Sequence, residues 1–257
     1  MEAARINLEE HATNLNLEGM TALAHGDMES AKKMFEESLK IRTDIGDKKG
    51  MSEALFNLGY LAHEVGEIKE ARKYHTESLK MCEDIGDKEG SAANFNRLAV
   101  IAADVDDLAE SYRLYGECLR LKEEMGDMVG ILRFLHKMGT LAYNMGKTDE
   151  ASKLYKKQFD LARELKNMEA LAMAMAQLHV FLLEKKKRYE GLMLLLCAHE
   201  IFLRLEQDNF VQTSHEIDKF KDAGYEEMVI SLQNQMSASS FEDIINTAVD
   251  ALSMVEI

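Results

Sequence analysis

The chain has 257 residues, 46% of them hydrophobic and 30% charged, with neither proline nor tryptophan. Its net charge of -15 and pI near 5.0 repel phosphate backbones and anionic membrane surfaces, so neither nucleic acid nor a membrane is expected as a direct partner. No apolar run reaches the roughly 18 residues that a membrane helix needs.

The first ten residues lack a basic start and an apolar core, so a secretory signal is not expected and a cytoplasmic location is. Cys82, Cys118 and Cys197 are scattered, without metal-ligand spacing, and are expected to be reduced thiols in helix interfaces. With no proline, helices here must stop at glycine, asparagine or capping residues.

Along the chain one stretch returns at a fixed interval. Ile45-Gly46-Asp47-Lys48-Lys49-Gly50 comes back as Ile85-Gly86-Asp87-Lys88-Glu89-Gly90 and as Met125-Gly126-Asp127-Met128-Val129-Gly130. The spacing is 40 residues each time, and the same slot at Leu165-Lys166-Asn167-Met168-Glu169-Ala170 has lost its glycines. A fixed period of this size predicts an all-α solenoid whose units stack on one another.

Each unit predicts two helices. In the second, Leu55, Leu58, Gly59 and Ala62 make one helical face, Gly66-Glu67 breaks it, and Ile68, Ala71, Tyr74, Ser78, Leu79 and Cys82 make the next. Gly86 then takes the left-handed position that ends a helix, and Asp87 caps the helix that follows. Further columns hold small residues (Gly19, Gly59, Ala99, Gly139) that allow close helix approach. Another holds Phe35, His75, Tyr115 and Tyr155, which should pack against the next unit; His75 is expected to be a packed, satisfied histidine.

These columns resemble the tetratricopeptide repeat (TPR) family. The resemblance rests on Leu55-x-x-Leu58-Gly59 with Ala71-x-x-x-His75, and on Leu135-x-x-Met138-Gly139 with Ala151-x-x-x-Tyr155. The copies at Leu15 to Phe35 and at Phe95 to Tyr115 are looser. The longer unit and its Gly-Asp joint are similar to those of signalling scaffolds, kinesin light chains and bacterial regulators. The resemblance implies a right-handed superhelix of about five TPR helix pairs, at 11–46, 47–86, 87–126, 127–166 and 167–208, making a solenoid domain over 1–210.

The fifth pair is the weakest: Leu171, Met175, Leu178 and Leu182 suit its first helix and residues 189–205 its second, with room for one inserted residue in the basic turn. Residues 212–235 then predict an amphipathic helix interrupted near Gly224. Ser239-Ser240-Phe241-Glu242 opens a short last helix bearing Phe241, Ile244, Ile245, Ala248 and Leu252. Residues 211–257 are thus expected to be a helical cap. The order of elements from Leu194 to Ile244 also resembles the end of the TPR sensor segment in bacterial nucleotide-switch (STAND-type) transcription regulators. Apolar residues on the last helix could also join two copies of the chain.

Chemistry is not expected. The eight histidines form no HxxxH or HExxH pair, and no phosphate loop, nucleophile elbow or CxxC is present. No catalytic residue, metal or cofactor is therefore predicted. Lys185-Lys186-Lys187-Arg188, the sole basic run, reads as a solvated helix end.

The TPR resemblance implies that first helices line a concave groove. Facing it would be Phe56, Asn57 and Tyr60 from the second unit, Asn96 and Arg97 from the third, and Arg133, His136, Lys137 and Tyr143 from the fourth. This mix of cations and aromatics suits another protein or peptide, with an acidic segment or C-terminal carboxylate as its chemistry. Arg133 and Lys137 match part of the clamp that related domains close on the tails of heat-shock chaperones, whereas Phe56, Tyr60 and Arg97 depart from it. The expected role is a non-enzymatic scaffold or adaptor; the competing expectation is a regulatory sensor for a small ligand or peptide.

Overall fold

A computed structural model describes residues 2–253, with side chains from Arg5 onward. The described residues are helical nearly throughout, with no strand. The helices are α1 (Glu2–Ala24), α2 (Met28–Ile45), α3 (Lys48–Glu64), α4 (Ile68–Ile85), α5 (Lys88–Asp104), α6 (Leu108–Met125), α7 (Met128–Asn144), α8 (Thr148–Glu164), α9 (Met168–Glu184), α10 (Arg188–Arg204), α11 (Phe210–Phe220), α12 (Glu226–Ala238) and α13 (Phe241–Ser253). None is long and apolar enough to cross a membrane. Two compact units divide the chain, Met1–Met128 and Val129–Ile257.

The joints follow from backbone geometry. Gly26, Gly46, Gly66, Gly86, Asp106, Gly126, Gly146, Lys166, Lys186 and Glu206 all have positive φ. A left-handed residue therefore recurs every 20 residues, twice per repeat. After each long-helix end the next N–H reaches back: Asp47 donates to the Arg42 carbonyl at 2.9 Å and Asp87 to that of Cys82 at 2.8 Å. These bonds satisfy carbonyls that a helix end would otherwise leave open. The side chain then caps the following helix, Asp47 accepting from the Gly50 N–H at 3.0 Å and Asp87 from that of Gly90 at 2.9 Å. Asn167 does the same for Ala170 at 3.0 Å, although Lys166 replaces the glycine before it. The worn joint is still a joint.

In the first unit α1 packs with α2, α3 with α4 and α5 with α6, and the hairpins stack through α2 on α3 and α4 on α5. The aromatic column has two duties. Phe35 and His75 fill the space left by Gly19 and Gly59 of their own hairpins, where a Cβ would stand 2.6 and 2.8 Å from the rings. They also reach the next hairpin: Phe35 joins Leu58 and Leu61 in one core cluster, and His75 pairs with Asn94. Buried donors lock consecutive helices at one register. Ser38 Oγ donates to the Ala12 carbonyl, Ser78 Oγ to that of Ser52 (both 2.8 Å), and Cys118 Sγ to that of Ala92 at 3.4 Å.

In the second unit Tyr155 of α8 lies over Gly139 of α7, α8 packs on α9, and α9 on α10. The basic turn holds no inserted residue: Lys186 falls 40 residues after Gly146 and keeps its left-handed conformation. Residues Gly191 to Ala198 of α10 are all buried, because α10 packs against α11, α12 and α13 as well as α9. The interruption near Gly224 is a π-helical turn, Lys221–Tyr225, with Gly224 at φ 90°. The final capping box lies one residue later than predicted, with Ser240 and Asp243 exchanging bonds of 3.1 and 3.2 Å. Ile244, Ala248 and Leu252 of α13 are buried within their own unit.

Lysine at positive φ carries a steric cost that glycine avoids. Lys166→Gly and Lys186→Gly should each raise stability by about 0.5–1 kcal/mol, read as a higher urea midpoint with unchanged slope. A lowered midpoint would mean that these lysines hold their joints through their side chains.

Candidate functional site

On the first unit the outward residues of α1, α3 and α5 meet in pairs. Asn57 Nδ2 donates to Asn16 Oδ1 at 3.0 Å. The Arg97 guanidinium lies over the Tyr60 ring, 4.5 Å from its centroid, and His63 Nε2 is 2.7 Å from Asp104 Oδ2. Phe56 meets the His75 ring edge-on, centroids 5.2 Å apart. Phe56, Asn57, Tyr60, Asn96 and Arg97 are all half-buried, so rings, amides and one guanidinium wall this face. A cavity of about 300 Å³ opens among Asn16, Glu53, Phe56, Asn57, Asp87 and Asn94.

The second unit holds Arg133, His136, Lys137 and Tyr143 on α7. Arg133 and Tyr143 are exposed. Tyr143 meets Phe181 edge-on at 5.7 Å and His136 leans on Tyr155 at the same distance. Lys137 Nζ lies 5.9 Å from the centre of the Phe134 ring. Burial lowers the His136 pKa, so this residue adds no cation at neutral pH. It lines a larger cavity of about 650 Å³ with Gln177, His179, Phe202, Gln212 and Glu216, between α9, α10 and α11. His179 is likewise held neutral by burial, with the Ala176 carbonyl offsetting part of the effect.

Other polar features were not anticipated from sequence. Arg42 is 5% exposed and is held by Asp47 Oδ2 at 2.7 Å, Ser38 Oγ at 3.3 Å and Thr13 Oγ1 at 3.3 Å. Lys122 is similarly buried, held by Glu89 at 2.7 Å and Asp127 at 2.9 Å. Burial works against its charge, yet Glu89 and Asp127 leave its pKa above the ordinary lysine value. The signal was the column 42, 82, 122, which reads Arg, Cys, Lys. All three cysteines are buried and free; burial pushes the Cys82 thiol up and that of Cys197 to about 12, which suits packing rather than nucleophilic use. Among the described residues no group of three or more His, Cys, Asp or Glu could hold a metal ion.

Two tetratricopeptide-repeat family models match this sequence, over residues 9–84 and 132–175. Their matches fall on hairpins whose small-residue and aromatic columns interlock as described. The chain is a tetratricopeptide-repeat protein. No curated protein sequence is similar enough to this TPR chain to count as a match. Solved structures share its fold at low identity. BtubC (BKLC) from P. vanneervenii is 16% identical, with a TM-score of 0.68 over 78% of this chain and 83% of that one. A STAND protein with a TPR sensor from Pyrococcus horikoshii is 13% identical, with a TM-score of 0.61 over 89% of this chain and 39% of that one. A Rap protein complexed with Competence and Sporulation Factor is 15% identical, with a TM-score of 0.51 over 95% and 77%.

His75 supplies a pH prediction for this TPR chain. It is fully buried, its Nδ1 faces Asn94 Oδ1 at 3.1 Å, and its Nε2 has no hydrogen-bond partner, so it is packed but only half satisfied. Burial lowers its pKa to about 4, Asn94 opposes the shift, and nearby Arg97 and His63 add to it. A folded pKa below the unfolded 6.5 means stability is complete above pH 6.5 and falls as pH drops toward 4. The loss from this residue should reach about 3 kcal/mol at pH 4. His75→Phe, which copies Phe35 of the preceding repeat, should flatten the stability profile between pH 6.5 and 4 by about one proton. An unchanged slope would contradict it.

Proposed function

We propose that this TPR chain is a non-enzymatic protein- or peptide-binding adaptor that acts in the cytoplasm and presents the first-helix face to its partner. The observation that carries this reading is the Arg97 guanidinium stacked on Tyr60 at 4.5 Å. A guanidinium held by its face keeps its N–H fork in plane for a carboxylate. Arg and Tyr in preorganised positions are the residue types that dominate binding energy at interfaces. Phe56, Asn57 and Asn96 extend the face on the first unit, and Arg133, Lys137 and Tyr143 form a cationic and aromatic patch on the second. An acidic peptide segment or a C-terminal carboxylate is the chemistry these cations favour. Pairing of two copies through α13 has less support, because Ile244, Ala248 and Leu252 already pack within one unit.

The 650 Å³ cavity of the second unit favours a second reading, a sensor for a small ligand. Its walls combine Phe202, Val180 and Met173 with Gln177, Gln212 and two neutral histidines, a common make-up for small-molecule pockets.

Capture from native lysate tests the first reading. Tyr60→Ala with Arg97→Ala, and separately Arg133→Ala with Lys137→Ala, should lose the captured protein while keeping wild-type helicity and melting temperature. Each pair is expected to weaken affinity by at least about tenfold. Retention of the same protein by both folded variants would overturn the first-helix face as the binding surface.

A further inference from the structure

The three Gly-Asp joints differ in the residue that stands beside the carboxylate. Asp47, Asp87 and Asp127 each follow a left-handed glycine. At the first joint, Arg42 Nη1 sits 2.7 Å from Asp47 Oδ2, and Glu53 lies 3.9 Å from the same guanidinium. At the third, Lys122 Nζ sits 2.9 Å from Asp127 Oδ2. Cations thus occupy the slot beside the carboxylate in both.

The middle joint has Cys82 in that register, uncharged and too short to reach as Arg42 does. Asp87 keeps its capping bond to Gly90 through Oδ1. Gly90 leaves room there for the Asp87 and Cys82 side chains. A Cβ at Gly90 would stand 2.6 Å from Asp87 Oδ2 and 2.7 Å from Cys82 Sγ, just as one at Gly50 would collide with the Arg42 guanidinium. What remains is the cavity of about 300 Å³, some ten times the roughly 30 Å³ share of one water. No lysine or arginine lines it. Its charged lining groups are the Asp87 and Glu53 carboxylates, Glu53 also standing 3.9 Å from the Arg42 guanidinium, while the Ser78 hydroxyl is already bonded to Ser52 and Asn94. The Phe56 ring stands in its wall.

We infer that this second joint is a receptor for one basic side chain, an arginine or lysine, contributed by the partner. The inference rests on the reading that the first-helix face binds a protein segment, and it adds a cationic anchor to that segment's chemistry. The partner's guanidinium would take the place beside Asp87 that Arg42 takes beside Asp47. A guanidinium, with a planar fork for the Asp87 carboxylate and a flat face for the Phe56 ring, suits this site better than an ammonium does. The chain's net charge of -15 draws such a group toward the surface at long range.

L-argininamide is the probe, titrated into the full chain while the backbone amide shift of Gly90 is followed, with citrullinamide as the uncharged isostere. Saturable binding of argininamide is expected. It should be at least about tenfold tighter than that of citrullinamide, and at least about tenfold weaker in Asp87→Asn and in Cys82→Arg. Asp87→Asn keeps a capping oxygen, so it carries the test if Cys82→Arg does not fold. Equal affinity for the two probes, or unchanged affinity in folded Asp87→Asn, overturns the receptor. Loss of argininamide binding beside a successful capture experiment condemns the slot alone. Argininamide binding beside a failed capture experiment condemns the proposed partner surface alone.

Discussion

The joints at Asp47 and Asp87, on which the stacking of the first hairpins depends, rest on a carboxylate that follows a left-handed residue. The left-handed turn lets the next N–H close the preceding helix, and the aspartate side chain opens the following one, so two helix ends are satisfied by two adjacent residues. One carboxylate oxygen is used in the cap. At Asp47 the other binds a buried cation from the helix just ended, as Asp127 Oδ2 also does, tying the joint to its hairpin. A buried cation is stable only when paired, and here the repeat geometry supplies the pairing partner automatically.

That same register shows how a repeat array acquires individuality. Backbone bonds, capping and the serine or cysteine donors at 38, 78 and 118 are kept from copy to copy. The residue beside the joint carboxylate is not kept. Where it is Arg or Lys the joint is self-braced, and where it is Cys82 the same scaffold encloses a cavity. The adjoining first-helix face carries its aromatic and amide groups in fixed pairs, Tyr60 with Arg97 and Asn57 with Asn16. A surface already ordered loses little freedom when a partner docks.

The architecture was legible because period and glycine position are one-dimensional signals. Gly46, Gly86 and Gly126 announced the joints, and Gly19, Gly59 and Gly139 announced the close helix contacts. Lys166 and Lys186 were harder to read, since neighbouring helices impose the left-handed conformation on residues that do not prefer it. The residues proposed for the binding face lie on first helices, but their state was not visible in the sequence. His136 looked like a cation, but burial lowers its pKa, with Gln158 opposing the shift. Arg42 and Lys122 look like ordinary surface charges on amphipathic helices. Their burial follows from the absence of a side chain at Gly50 and from carboxylates up to 33 residues away.

The measurement that reaches the centre of this account is a double-mutant cycle on unfolding free energy with Cys82→Arg and Asp87→Asn. A shared joint geometry predicts that the introduced guanidinium finds Asp87 as Arg42 finds Asp47, giving a favourable coupling of about 1–3 kcal/mol. Coupling near zero, with Cys82→Arg equally costly in both backgrounds, would show that the middle joint is not a vacated copy of its neighbours.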